Sequence, residues 1–406
     1  MTKLLIRNAR LMTCDPAREG LGIIERGAIA IAADGTIGWL GDDADAARPS
    51  ARHDFDAGGR LLTPGLVDCH THAIFAGDRA REFALRAAGA TYLEIAAAGG
   101  GISATLEPTR AASDAELAAL LDSRLDEALT TGTTTIEIKS GYDLTIPGEQ
   151  RLLRLVAAAA TQRAQRLVPT LLAHLIPRER TGDRGAYVHE LTTDLIPAVA
   201  RARLATSVDI YCDEGAYTLA EARAILGAAR TAGLGVRAHV GQFADLGGPE
   251  LVGELAGLSA DHLEQVSDAG VAALAAAGTV AVMLPGACVQ LRLPVPPIAR
   301  LRAAGVRLAI ASDLNPGSSF SSALPLQMWL ATTHFAMTVE EAWLGVTRHA
   351  SAALGLGDAA GVLRPGARAD LVLWRCTEPG DVPYRYGSNL VAQVYVGGAA
   401  ALSGGP

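Results

Sequence analysis

The middle of the chain alternates short, apolar, β-branched runs with longer Ala- and Leu-rich stretches. Eight runs read as strands: 66–72, 133–139, 166–174, 206–212, 234–240, 258–263, 279–284 and 307–313. Between them, 115–130, 149–160, 219–232, 268–277 and 297–304 have helical composition. Eight such units in succession predict an α/β fold, a (β/α)8 TIM barrel over residues 61–360. A doubly wound sheet is the alternative, but the glycine fingerprint it would often carry is missing after the first strand. The two chain ends have another texture. Leu4-Leu5-Ile6, 28–31 and 36–40 read as strands, and Asp34-Gly35 is a hairpin signal. At the far end, 369–374 and 391–396 look alike. Neither piece is long enough to fold well alone, so residues 1–60 plus 361–406 are expected to form one small β-sandwich domain.

Composition narrows this picture. With 50% hydrophobic and 19% charged residues, the 406-residue chain is a compact globular protein. A net charge of -8 argues against nucleic acid as a partner. One uncharged run, 271–289, needs a membrane test; Gly278, Pro285 and Gly286 interrupt it, and it reads as a buried helix end followed by a buried strand. The start has no signal-peptide pattern, and the five scattered cysteines include no CxxC pair. Free thiols in a cytoplasmic protein are the expectation.

The candidate chemistry lies where a barrel keeps it, at the C-terminal ends of the strands. His70 and His72, two residues apart on a strand, present two imidazoles to one face. Other strand ends carry Glu137 to Tyr142, His174, Cys212-Asp213-Glu214, His239 to Gln242, Asp261 to Glu264, and Ser312 to Gly317. Five of the nine histidines sit at such ends, where polar groups are costly unless paired or functional. Three imidazoles and a carboxylate make a hydrolytic metal site: His70, His72 and His239, with Asp313 as fourth ligand and proton acceptor. His262 would polarise the attacked carbonyl or steady its oxyanion. The remaining histidines, His53, His189, His334 and His349, read as surface or packing residues in loops or helices.

Pro64-Gly65-Leu66-Val67-Asp68-Cys69-His70-Thr71-His72, His239, Asp313 and the closing run Gly366 to Val372 resemble the amidohydrolase superfamily over nearly the whole chain. The resemblance implies a metal-bearing barrel flanked by a β domain made from both chain ends. Residues 72–79, 90–95, 99–102, 137–142 and 312–318 more narrowly resemble a branch of that superfamily that opens an imidazolone ring bearing a propionate arm. For that branch Arg79 would pair with the propionate, a match for a guanidinium fork. Tyr142, His174 and Gln242 would contact the ring, and Asn315, Gly317 and Ser318 would line the pocket. Gly99-Gly100-Gly101 would be a mobile turn near its mouth. One metal per chain, zinc or iron, a small-molecule substrate, no membrane and a homodimer complete the expectation. Two positions depart from wider relatives. Gln242 stands where several mononuclear members have a glutamate, which leaves proton transfer to Asp313 and His262. Strand 4 has no lysine to bridge two metals; Lys139 lies on strand 2 and would pair with Glu137 or a nearby carboxylate. Two rivals remain. A deaminase of a small cyclic amine would share the metal site without needing Arg79, and a metal-free scaffold would have lost ligands that are present here.

Overall fold

The computed structural model describes residues 2–90, 94 and 100–403. The N-terminal part contributes β1 (Thr2–Met12), β2 (Ile23–Ala32), β3 (Ile37–Asp42), β4 (His53–Asp56) and β5 (Leu61–Pro64). Then come β6 (Leu66–Asp68), β7 (Thr133–Lys139), β8 (Arg166–Ala173), β9 (Ser207–Cys212), β10 (Gly235–Val240), β11 (Ser259–His262), β12 (Val280–Met283) and β13 (Leu308–Ile310). The chain closes with β14 (Leu371–Trp374), β15 (Val391–Val396) and β16 (Ala399–Ser403).

Both chain ends enter one sheet, ordered β16-β15-β14-β5-β1-β2-β3 with β4 beside β1. Its apolar face has its own core, including Ile6, Leu11, Ile29, Ile31, Leu371 and Leu373. β5 joins the two ends: it pairs with β1 in parallel and with β14 in antiparallel. From β5 the chain passes through Gly65 straight into β6. A Cβ at Gly65 would stand 2.1 Å from the Thr134 hydroxyl, so only glycine lets the two sheets approach there.

β6 to β13 form a parallel sheet in sequence order, with helices packed outside. These helices start where their sequences say they should. Ser113 and Glu116, for example, make a reciprocal capping box at the start of Asp114–Thr130, which turns Leu117, Leu121 and Leu125 inward. The uncharged run resolves into Asp268–Ala277, stopped by Gly278 in a left-handed turn, and then β12. No helix among the described residues is long and apolar enough to cross a membrane. All five cysteines are free and buried.

The observed strands follow the predicted ones closely except at the first and last, which end early, at Asp68 and Ile310. The reason is the seam. β6 and β13 share no regular ladder. The residues just beyond them close the barrel, with Asp313 N–H donating to His70 O at 3.0 Å and His72 N–H donating to Leu314 O at 2.8 Å. Asp68 adds a carboxylate oxygen that accepts from Ser312 N–H at 3.1 Å. The barrel is thus closed by the segments that carry the candidate ligands.

Candidate metal centre and active site

His70, His72 and His239 converge at the C-terminal end of the barrel, with ligand atoms all within 4.8 Å of one another. His70 Nε2 and His72 Nε2 lie 3.5 and 3.4 Å from the same oxygen, Asp313 Oδ1. His239 Nε2 is 3.4 Å from His72 Nε2. The four side chains are buried. Asp313 has a left-handed backbone (φ 49), as do His262 (φ 81) and Leu263 (φ 71). Non-glycine residues rarely adopt that conformation outside turns and functional sites.

Beneath the imidazoles lies a layer of buried charge. His70 Nδ1 donates to Asp261 Oδ2 at 2.6 Å and His239 Nδ1 donates to Asp209 Oδ1 at 3.0 Å. These bonds assign the Nδ1–H tautomer to both rings and leave each Nε2 with a free lone pair. Lys139 Nζ in turn donates to Asp209 at 2.6 Å and to Glu137 at 2.8 Å. Arg237 bonds Glu137, Ser259 and the carbonyl of Cys69, and reaches Asp261 at 3.4 Å. Lys139, Glu137, Asp209, Asp261 and Arg237 are all fully buried. Burial opposes the charge on Lys139, but Asp209 and Glu137 hold its pKa above the ordinary lysine value.

Two of the imidazoles, His70 and His239, are held neutral. Burial, then Lys139 and the neighbouring rings, push His70 well below its usual pKa. Burial takes His239 down to about 4 despite Asp209. Burial would raise the Asp313 carboxyl, but His72, His262 and His239 hold it below the ordinary range. Neutral His70 and His239 beside an ionised Asp313 are in the protonation states that metal binding requires. His70 Nε2 makes the fit specific, because it is buried without a hydrogen-bond partner and faces the Asp313 carboxylate. A cation between these donors would satisfy it, and the four residues fit a metal ion.

Above the metal site opens a cleft of about 860 Å³. His72, His239, His262 and Asp313 form its base, and Tyr142, His174, Gln242, Asn315, Gly317, Ser318 and Arg79 line it. Every residue predicted for the site is therefore at the cleft except His70, which sits beneath it. His174 donates Nδ1–H to Gly141 O at 3.0 Å and, through burial, titrates down at about 3, which leaves Nε2 an acceptor. The carboxylate of Glu264 stands 3.8 Å from His262 Nδ1, beyond hydrogen-bond reach but close enough to act by charge. Burial works against protonation of His262, and Glu264 and Asp313 outweigh it, so its pKa is raised. Asn315 Oδ1 accepts from the N–H groups of Gly317 and Ser318, which shapes the loop after β13. A Cβ on Gly317 would stand 2.4 Å from Arg79 Nη1, so glycine there makes room for the guanidinium.

A model of the amidohydrolase family matches residues 93–400. The chain is 48% identical to the imidazolonepropionase of Acidiphilium cryptum over 372 residues, 91% of this chain and 92% of that protein. It is 48% identical to the imidazolonepropionase of Caulobacter vibrioides over 393 residues, 96% of this chain and 98% of that one. The chain belongs to the imidazolonepropionase family of amidohydrolases. Solved structures share the fold at much lower identity. An adenosine deaminase from Xanthomonas campestris with bound zinc has a TM-score of 0.74 at 19% identity, over 99% of this chain and 93% of that chain. A 5-methylcytosine deaminase from Klebsiella pneumoniae reaches 0.76 at 17% identity, over 99% of this chain and 98% of that chain. At such identities the likeness concerns the fold alone.

Against the family motifs, most of 90–95 and Gly99 of the glycine run lie outside the described residues, while Gly101 lines the cleft and donates its N–H to Glu82. Lys139 pairs with Glu137 as expected, and also with Asp209, which sequence reasoning passed over. Asp261, Arg237 and Glu264 were likewise missed as partners of the site, and so was Arg86 as a cleft residue. Of the histidines set aside, His53 opens β4 rather than lying in a loop; His349 donates Nδ1–H to Leu308 O and is a packing residue.

Proposed function

We propose that this amidohydrolase opens the ring of 4-imidazolone-5-propionate by hydrolysing its cyclic amide C–N bond, which gives N-formimidoyl-L-glutamate in histidine degradation. What supports this is one cleft that holds both the imidazoles gathered around Asp313 and the guanidinium of Arg79. A ring carbonyl to be attacked and a carboxylate arm to be gripped are the two features such a cleft suits, and a deaminase would have no use for the second.

His70, His72, His239 and Asp313 would hold one zinc or iron ion, since nitrogen and oxygen donors accept either. Such an ion makes a water molecule acidic and polarises a carbonyl. The rest falls to the chain. Asp313 takes the proton of the attacking water, whose oxygen bonds to the ring carbonyl carbon. His262, with Glu264 behind it, steadies the negative charge on the former carbonyl oxygen. Asp313 then returns the proton to the ring nitrogen as the C–N bond breaks, so the site ends in its starting state. Gln242 cannot titrate and serves as a ring contact with Tyr142 and His174. Arg79 holds the propionate, and Asn315, Gly317 and Ser318 form the wall. A cytoplasmic homodimer is the setting that the family resemblance implies.

The test is metal content measured together with turnover of 4-imidazolone-5-propionate. About one metal per chain, N-formimidoyl-glutamate as product, loss of activity on chelation and recovery on adding metal back are expected. Metal without turnover would keep the centre and return the substrate to open choice. Protein that holds no metal would overturn the ligand set.

A further inference from the structure

We infer that Arg86 is a second carboxylate-binding residue, forming with Arg79 a two-guanidinium clamp for the substrate's propionate, an inference that rests on the function proposed above. Arg79 alone is already matched. Its Nε donates to Glu82 Oε2 at 3.1 Å, and the other oxygen of that buried carboxylate accepts from Gly101 N–H at 2.9 Å. A propionate docked on this pair would add an uncompensated negative charge to a partly desolvated wall, which is costly. Arg86 supplies the missing charge. It lies seven residues on, in the last turn of the helix Ala80–Ala87 that Arg79 precedes as N-cap.

Both arginines meet at Gly317. The space a Cβ would take there is filled by the Arg79 guanidinium, and the Gly317 carbonyl accepts from Arg86 Nη1 at 3.4 Å. Both also line the cleft. No carboxylate among the described residues pairs with Arg86 within 4.0 Å, and Gln290 donates to the same Gly317 carbonyl at 3.1 Å. Gln290 keeps that carbonyl satisfied when Arg86 turns to a ligand. Glu214 and Arg292, one charge of each sign, line other parts of the cleft and leave the balance unchanged. Arg79, Glu82 and Arg86 together carry a single positive charge, the complement of one propionate. Two forks on one carboxylate also fix its direction as well as its charge.

The test compares imidazole-4-propionate with 4-methylimidazole as stable ring ligands of the metal-loaded protein, alongside turnover. Arg86→Gln is expected to lower the affinity preference for the carboxylate-bearing ring about ten-fold or more, and to raise KM for the imidazolone substrate with a smaller change in kcat. Arg86→Lys should recover part of the preference, since charge returns without the fork. Equal weakening of both ligands would mean that Arg86 merely supports the Gly317 loop, and an unchanged preference would mean that it does not meet the ligand; either overturns the clamp. A wild-type protein that prefers the carboxylate-bearing ring but turns over no imidazolone would sink the proposed reaction and leave the clamp standing.

Discussion

Below the three imidazoles, Lys139, Arg237, Glu137, Asp209 and Asp261 are fully buried and bonded to one another. Above them, Arg79 and Arg86 stand half-buried around a glycine, at the edge of an open cleft. Both regions are built from charge, but to different ends. In the floor every charge answers another, and two of the carboxylates also fix imidazole tautomers, so removing one partner strands the next. At the mouth Arg79, Glu82 and Arg86 sum to one positive charge, which the proposed clamp would offer to a ligand. On the proposed function, the floor would set up chemistry common to any amide the cleft admits, whereas the mouth would select among them.

The largest expected break in this comparison is at the boundary between the two. Asp313→Asn keeps the shape but cannot take a proton, and kcat should fall about 10³-fold with KM changed far less. Steady-state kinetics on metal-matched protein would show this, and a fall confined to KM would remove Asp313 from the proton route. Next comes Lys139→Met in the floor. Stranding Asp209 and Glu137 should cost about 3–5 kcal/mol of folding stability and loosen the metal about 10- to 100-fold through His239. Urea unfolding and a competitive metal titration read the two effects, and an unchanged metal affinity would mean that the layer beneath serves the fold alone. The smallest effect belongs to the mouth. Gly317→Ala puts a methyl against Arg79, and KM should rise roughly ten-fold while stability stays within about 0.5 kcal/mol. A variant with wild-type KM would show that Arg79 can shift aside at no cost, which would weaken the case for a preset clamp.

The candidate ligands and Arg79 at the mouth were legible in the sequence; the floor and Arg86 were not. His70 and His72 declare themselves by a spacing of two at a strand end, and Asp313 by its place after the last apolar run. The floor had a signal of the same kind. Glu137 and Lys139, Arg237 and His239, and Ser259 and Asp261 each alternate through apolar strands, which is how polar residues face a barrel's interior. Reading only strand ends for chemistry hides that layer, because charge inside a strand looks like a contradiction until its partner, on another strand, is known. Asp209 is the plainest case: its meaning depends on Lys139, 70 residues earlier, and His239, 30 residues later. Arg86 was hidden differently, since a helical arginine two turns from another is common on any exposed helix, and only Gly317 brings the pair together.

The seam of the barrel has a consequence for how the protein is made. His70 and His72 are synthesised early, but Asp313 meets them only when the segment after β13 docks against the segment after β6. In the same way β5 waits for β14, more than three hundred residues later in the chain, before its second edge is covered. A ribosome-bound chain stopped between residues 239 and 313 has His70, His72 and His239 but not the Asp313 carboxylate. If these four residues hold the metal as proposed, its capture at full strength would be a late event in biogenesis. It would belong to the finished fold, and a truncated or stalled product is expected to bind metal more weakly than the whole chain.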